Sequence, residues 1–305
     1  MYNRRPPMRK RTLLEKRNNQ GYLYILPWII GFLVFQLYPL AMSLFYSFTN
    51  FKMGADYKMV GFANYIRIFT KDVEVQNSLL TTFKYVFISV PLKLVSALLI
   101  AMLLNQKLRG INLFRTIYYL PSILGGSVAI AILWRQLFAI DGIINQVLGA
   151  LGVSPIGFLT DPKIALFTIG FLSVWQFGSS MVFFLAALKQ VPQSLYEAAN
   201  VDGSGPIRNF FQITLPMISP MTLFNVVMQL INAFQEYTAP AVITNGGPLK
   251  STQVLGITLY TNAFSYRKMG YASAISWVLF VIIILFTVLV FRSSATWTFY
   301  NDEEC

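Results

Sequence analysis

The sequence has no histidine, a single cysteine (Cys305) among 305 residues, and few charges, 12% of the chain. Without imidazole the common zinc sites and histidine acid–base chemistry are excluded, so neither a metal site nor a catalytic residue is expected. One cysteine forms no intrachain disulfide and no thiolate cluster. Nor is there a GxxxxGK[ST] run to cradle nucleotide phosphates. Soluble domains are about one quarter charged, so a chain this poor in charge turns most of its surface toward something other than water.

What is present is apolar: 55% of residues are hydrophobic and the mean hydropathy is +0.57. A helix needs roughly 20 residues to cross a hydrocarbon core about 30 Å thick. Charge-bounded apolar runs of that length fall at about 22–49, 79–104, 117–138, 164–188, 216–240 and 269–291. The first follows a basic preamble, as a signal peptide would, but its apolar part is too long and has no small-residue cleavage site, so it is expected to stay as a span. The expected fold class is all-α, a polytopic membrane bundle of six transmembrane helices. Lys93, near the middle of the second run, is expected to be a structural partner or a snorkelling side chain.

Of the formal charge of +12, seven basic residues sit in the tail 1–21: Arg4, Arg5, Arg9, Lys10, Arg11, Lys16 and Arg17. The 106–115 connection adds Lys107, Arg109 and Arg115. The positive-inside rule then places both termini in the cytoplasm. The outer loops carry basic residues too, so the orientation rests mainly on the tail. No folded basic patch accompanies these charges, so nucleic-acid binding is not expected. The organisation is a tail 1–21, one six-span domain 22–292 in the lipid bilayer with a cytoplasmic loop 189–215, and a C-terminal tail 293–305.

That loop is long for a connector between two helices, which needs about 2–8 residues. Pro192 and Ser194 precede a helix over Leu195 to Asn200, Gly203-Ser204-Gly205-Pro206 forces a turn, and Ile207 to Thr214 reads as a second helix ending before Leu215-Pro216. A bland reading is an amphipathic connector lying on the membrane. A docking element accounts better for its length and its internal start and stop signals.

Polar side chains inside spans are costly in lipid and usually face a cavity or a neighbouring helix. Asn225, Gln229, Asn232 and Glu236 recur at helical spacing in the fifth run and form one face. Ser173, Gln176 and Ser180, with Trp175 beside them, do the same in the fourth, and Ser122 follows Pro121 in the third. The candidates for a substrate path are therefore Ser122, Gln176, Ser180, Gln229, Asn232 and Glu236. Interhelical hydrogen bonding is the alternative for each, worth about 1 kcal/mol.

Glu197-Ala198-Ala199, then Gly203, Ile213 and Leu215-Pro216 at their spacing resemble the EAA loop of the integral-membrane subunits of bacterial ATP-binding-cassette (ABC) importers. Val60-Gly61-Phe62-Ala63-Asn64-Tyr65, Leu120-Pro121, Asn245-Gly246-Gly247-Pro248 and Met269-Gly270-Tyr271-Ala272-Ser273-Ala274 are similar to the carbohydrate-uptake branch, which includes the maltose and glycerol-phosphate permeases. The extra N-terminal spans and large outer insertion of the maltose subunit are absent, which argues against maltose itself. The resemblance implies a type I importer permease (MetI-like) fold and a transport subunit rather than an enzyme. It implies a joint to the ATPase at Glu197, Ala198, Ala199, Asp202, Gly203, Ile213, Leu215 and Pro216. The implied partners are a second permease in a heterodimer, two copies of an ABC ATPase that carries the ATP and Mg, and an extracellular or periplasmic solute-binding protein. Family sugar contacts fall on the same three helices, roughly at Ser122, near Gln176, and at Gln229 and Glu236. The competing readings are a self-contained channel or carrier, which would have no ATPase to dock, and a membrane enzyme, for which no paired catalytic site is evident.

Overall fold

The computed structural model describes residues 13–54, 56–106 and 109–299. Arg4, Arg5, Arg9, Lys10, Arg11, Lys107 and Cys305 lie outside the described residues, as do the side chains of Lys16 and Arg17. Among the described residues the structure is helical, with no strand beyond an isolated bridge between Thr49 and Met59.

Three helices are long and apolar enough to cross a membrane unaided, Tyr24–Ser47, Val73–Leu104 and Met269–Trp297. Three further candidates are bent pairs that reach span length only together: Ile111–Leu124 with Val128–Leu137 at 103°, Ala165–Trp175 with Gly178–Gln190 at 47°, and the second helix of the loop, Pro206–Met217, with Ser219–Ile243 at 69°. Counting each pair as one gives six spans, numbered here in chain order.

Helices overrun the apolar segments at several ends, because hydropathy marks the hydrocarbon layer and not the last backbone hydrogen bond. The first helix is described from Leu13, so residues 13–21 of the tail are helical. The second begins at Val73, where the Asp72 carboxylate accepts the Val75 N–H at 3.2 Å and caps the helix. The sixth continues to Trp297, so residues 293–297 of the C-terminal tail are helical as well.

The second span is the central post. Tyr85, Val86 and Val90 join one buried cluster with Ile169, Leu172, Phe234, Ile275 and Val278 from the fourth, fifth and sixth spans. Ala97, Ala101 and Leu104 join another with Met181, Phe184, Leu188 and Ile218. Asn64, Gly270 and Tyr271, from two of the stretches that resemble the carbohydrate-uptake branch, clamp the other end of the bundle. The Asn64 amide donates to the carbonyls of Ser47 and Thr49 at 2.8 and 2.9 Å, satisfying the C-terminus of the first span. Gly270 lies so close to the backbone of Tyr46, Thr49 and Phe51 that a Cβ would collide with it, and its N–H donates to the Phe51 carbonyl at 2.9 Å. Tyr271 donates to Asp72 at 2.8 Å, while Arg67 sits over its ring and pairs with the same carboxylate at 3.3 Å.

Candidate functional site

Where the second, third, fourth and fifth spans converge they leave a cavity of about 470 Å³, within the range of small-molecule sites. The breaks in three spans build it. The third turns at Gly125-Gly126, where Gly126 takes φ +76°. The fourth breaks at Gln176-Phe177, and its first half ends with Gln176 on the cavity wall. The fifth helix, Ser219–Phe234, stops before Gln235, and a short helix, Thr238–Ile243, resumes after Tyr237. Irregular backbone at membrane depth is tolerated where it lines a cavity.

Four of the six path candidates line this space: Gln176, Gln229, Asn232 and Glu236. Glu236 does so from a different position than its spacing predicts. It lies past the end of the helix, in the break, and its Oε1 accepts the Ala239 N–H at 3.1 Å at the start of the next helix. The fifth-span stripe is therefore a helical face only as far as Asn232. Asn225, on that face, is 1% exposed and away from the cavity, and its Nδ2 has no partner among the described residues.

Ser122 and Ser180 are not on the cavity wall. The Ser122 hydroxyl donates to the Gln176 carbonyl and accepts the Ser179 N–H, each at 3.1 Å, satisfying backbone groups freed by the fourth-span break. Ser180 is fully buried and accepts from the Gln229 amide at 3.0 Å. For both serines the alternative of interhelical bonding describes the geometry. Gln229 does double service, bonded to Ser180 and bordering the cavity.

The polar wall is completed by Ser173, already on the polar face of the fourth run, and by Tyr85, Lys93, Gln235, Tyr237 and Thr238, which sequence reasoning did not assign to the path. The expectation for Lys93 is corrected: it is the 21st residue of the helix Val73–Leu104, faces the cavity, and has no carboxylate within ion-pair distance among the described residues. Eleven residues, about 16 Å of rise, separate it from the helix end, too far for its stem to snorkel. The aromatic neighbour is corrected as well. Trp175 packs toward Trp134, ring centroids 6.1 Å apart, while Tyr237, stacked on Tyr260 at 5.0 Å, borders the cavity. No motif marks these residues; two stand at breaks invisible to periodicity, and Lys93 was set aside as structural.

At the loop, Gln193–Val201 is a helix begun by Pro192 and closed by Gly203 at φ +72°, with the Ser204 N–H on the Ala199 carbonyl at 2.9 Å. The positive φ is the reason for glycine here. The Tyr196 hydroxyl meets Thr214 Oγ1 at 2.8 Å and pins this helix to the next. That second helix does not end before Leu215-Pro216 as expected. A π-turn, Phe210–Thr214, widens the spiral so that the Leu215 N–H reaches the Phe210 carbonyl, and the helix runs through Pro216 to Met217. The wider turn relieves the clash a proline ring makes with the carbonyl four residues back. Glu197, Ala198, Asp202 and Gly203 are exposed, Ala199, Ile213, Leu215 and Pro216 half-buried. In the same loop Val201, Ile207 and Phe211 expose 88%, 76% and 62% of their surface.

Residues 71–296 match the family described as the binding-protein-dependent transport system inner membrane component. The chain is 46% identical to the probable ABC transporter permease protein YesP of Bacillus subtilis (strain 168), over 97% of each protein. It is 34% identical to the lactose transport system permease protein LacF of Rhizobium radiobacter, covering 90% of this chain and 93% of that one. It is 35% identical to the sn-glycerol-3-phosphate transport system permease protein UgpA of Yersinia pestis, covering 89% and 92%. In fold it is similar to the crystal structure of a bacterial ABC transporter involved in the import of the acidic polysaccharide alginate, with a TM-score of 0.79 at 22% identity over 92% of this chain and 96% of that chain. The chain thus belongs to the binding-protein-dependent transport system inner membrane components, as a multi-pass permease subunit of an ABC importer in the cytoplasmic membrane, with ATP hydrolysis the work of a separate subunit.

Proposed function

We propose that this permease forms half of the translocation path for a carbohydrate and couples to its ATPase through the loop from Glu197 to Pro216. The observation that carries the reading is the 470 Å³ cavity at the broken spans, walled by four amide side chains on the fourth and fifth spans (Gln176, Gln229, Asn232 and Gln235), a carboxylate and Tyr237. Amides and carboxylates suit vicinal hydroxyls, and an aromatic ring suits the apolar face of a pyranose. The lactose and glycerol-3-phosphate permeases among its relatives point to the same class of polyhydroxylated cargo. Both termini and the loop are on the cytoplasmic side in this reading. A second permease closes the other half as a heterodimer, two ATPase copies bind ATP and Mg, and a solute-binding protein delivers the cargo from outside.

The exposed apolar side chains of Val201, Ile207 and Phe211 in the loop that holds Glu197 support the docking role, because uncovered apolar surface on a membrane protein's aqueous side marks a contact surface. Ala198 admits close approach of a partner helix, and Glu197 offers a charged acceptor. The test replaces Gln229 and Glu236 separately by alanine and follows uptake together with substrate-stimulated ATPase activity. Reduced apparent affinity or rate is expected; wild-type behaviour in both variants removes these residues from the path.

A further inference from the structure

Basic residues concentrate on the cytoplasmic side of membrane proteins, yet in the orientation proposed above eight of them stand between the spans on the outer side. Six of the eight, Lys52, Lys58, Arg67, Lys71, Arg267 and Lys268, are drawn to one corner, where the stretch 48–72 meets residues 266–268 at the start of the sixth span. The bridge between Thr49 and Met59 and the Asn50 N–H on the Lys58 carbonyl at 3.0 Å fold the chain back on itself. The turn so formed is tied to the sixth span by the Met53 N–H on the Arg267 carbonyl at 3.2 Å. Arg67 is engaged by Asp72 and the Tyr271 ring, and the Lys268 ammonium lies 5.3 Å from the centre of the Tyr266 ring. Lys52, Lys58, Lys71 and Arg267 are exposed, and none of them enters an ion pair among the described residues. The two stretches hold only two acids, Asp56 and Asp72, so the six basic residues leave a formal charge of +4.

We infer that this corner is a docking surface for the phosphate headgroups of anionic phospholipid in the outer leaflet. The inference rests on the proposed orientation and goes beyond it. Depth supports it. The first, second and sixth spans reach the membrane surface here, at Ser47, Val73 and Met269, which puts the cations at headgroup level. Aromatic residues mark the same depth. Phe45, Tyr46, Phe51 and Tyr57 cluster with ring centroids 4.5 to 6.0 Å apart, and Tyr57, Phe62 and Tyr266 stay exposed, as suits a membrane–water interface. Position in the bundle selects lipid over cargo or its carrier. The cavity wall takes no residue from the first or sixth span, and the most apolar stretch of the first span has no buried residue. The corner therefore stands at the rim of the chain and away from the cavity. Lysine and arginine attract an anionic membrane surface over about one Debye length, about 8 Å at physiological ionic strength, so the docking is sensitive to salt.

The test places a fluorophore at the corner, on Met53→Cys in a Cys305→Ser background, in the full chain assembled with its partner permease and ATPase. An impermeant maleimide is expected to label Met53→Cys in intact cells; labelling only after lysis overturns the orientation and this inference together. In nanodiscs, quenching is compared between phosphatidylglycerol and phosphatidylcholine, each carrying a nitroxide near the top of one acyl chain. At equal mole fraction phosphatidylglycerol is expected to quench at least twofold more strongly, with the ratio falling toward one in salt of about 1 M, where the Debye length is about 3 Å. The combined variant Lys52→Gln, Lys58→Gln, Arg267→Gln should lose the preference at an unchanged melting temperature, since these side chains hold no ion pair. The charge-preserving Lys52→Arg, Lys58→Arg should keep it, and so should Lys163→Gln, which lies in another outer loop. Equal quenching by the two lipids, or quenching by neither, overturns the lipid inference and leaves the orientation standing. So does a preference that survives in the combined variant; if that variant also loses affinity for the solute-binding protein or the partner permease, the corner is a protein contact instead.

Discussion

Removing the hydroxyl of Ser122 strands two main-chain groups, the carbonyl of Gln176 and the N–H of Ser179. An unsatisfied buried group costs about 1–3 kcal/mol. Ser122→Ala is therefore expected to lower the melting temperature of the purified protein while leaving substrate affinity near wild type. Thermal denaturation alongside ligand titration checks this, and lost affinity at unchanged stability would return Ser122 to the substrate path. Glu236 calls for a graded pair. Glutamine keeps an acceptor for the Ala239 N–H, and alanine removes it, so Glu236→Ala should melt lower than Glu236→Gln by an amount matching a lost cap, about 1 kcal/mol. Identical melting of the two would mean that the contact contributes nothing to the short helix Thr238–Ile243.

Among the elements, the broken spans matter most, and they were the least legible in the sequence. The stretches 117–138 and 164–188 read as continuous because hydropathy records depth in the membrane and is blind to direction. The signals for breaking were present in Gly125-Gly126 and Gly178, but glycine is common enough in membrane helices that it marks a bend only once the neighbour that fills its space is known. At Gly178 that neighbour is the third span: a Cβ would lie 2.9 Å from the Tyr118 carbonyl and the Tyr119 Cα and 2.7 Å from the Ser122 hydroxyl. Gly178→Val must push the third and fourth spans apart, and is expected to reduce both the yield of folded protein and uptake. Full uptake at normal expression would show that the contact yields freely. Spacing placed Gln229 and Asn232 on one face, as found, and misplaced Glu236 because periodicity extrapolates past a helix end. By contrast the loop helices were legible, since Pro192, Gly203 and Pro206 impose their turns locally. Only the passage through Pro216 escaped, as a π-turn leaves no mark in composition.

For the whole molecule the question is how motion at the loop reaches the cavity. The loop's second helix meets the fifth span at 69° across Ile218, which is buried in the core of the second and fourth spans. The corner is held by Ser219, whose hydroxyl donates to the Pro216 carbonyl and accepts the Phe299 N–H at 2.8 Å. The exit of the sixth span is therefore tied to the same corner as the entry to the fifth, and a rotation of Glu197 to Met217 carries both spans. The fifth span then delivers the motion to Gln229, Asn232 and the break at Glu236. A side chain at the proposed ATPase joint and one holding the corner should fail differently. If Glu197 belongs to the proposed ATPase joint, Glu197→Lys is expected to abolish uptake while the protein still reaches the membrane. Ser219→Ala should leave the complex assembled and hydrolysing ATP, but lower the amount of substrate moved per ATP several-fold in proteoliposomes, because the corner then flexes. An unchanged transport-to-hydrolysis ratio in Ser219→Ala would mean that the rigidity of the corner comes from the packing of Ile218 and not from the hydroxyl.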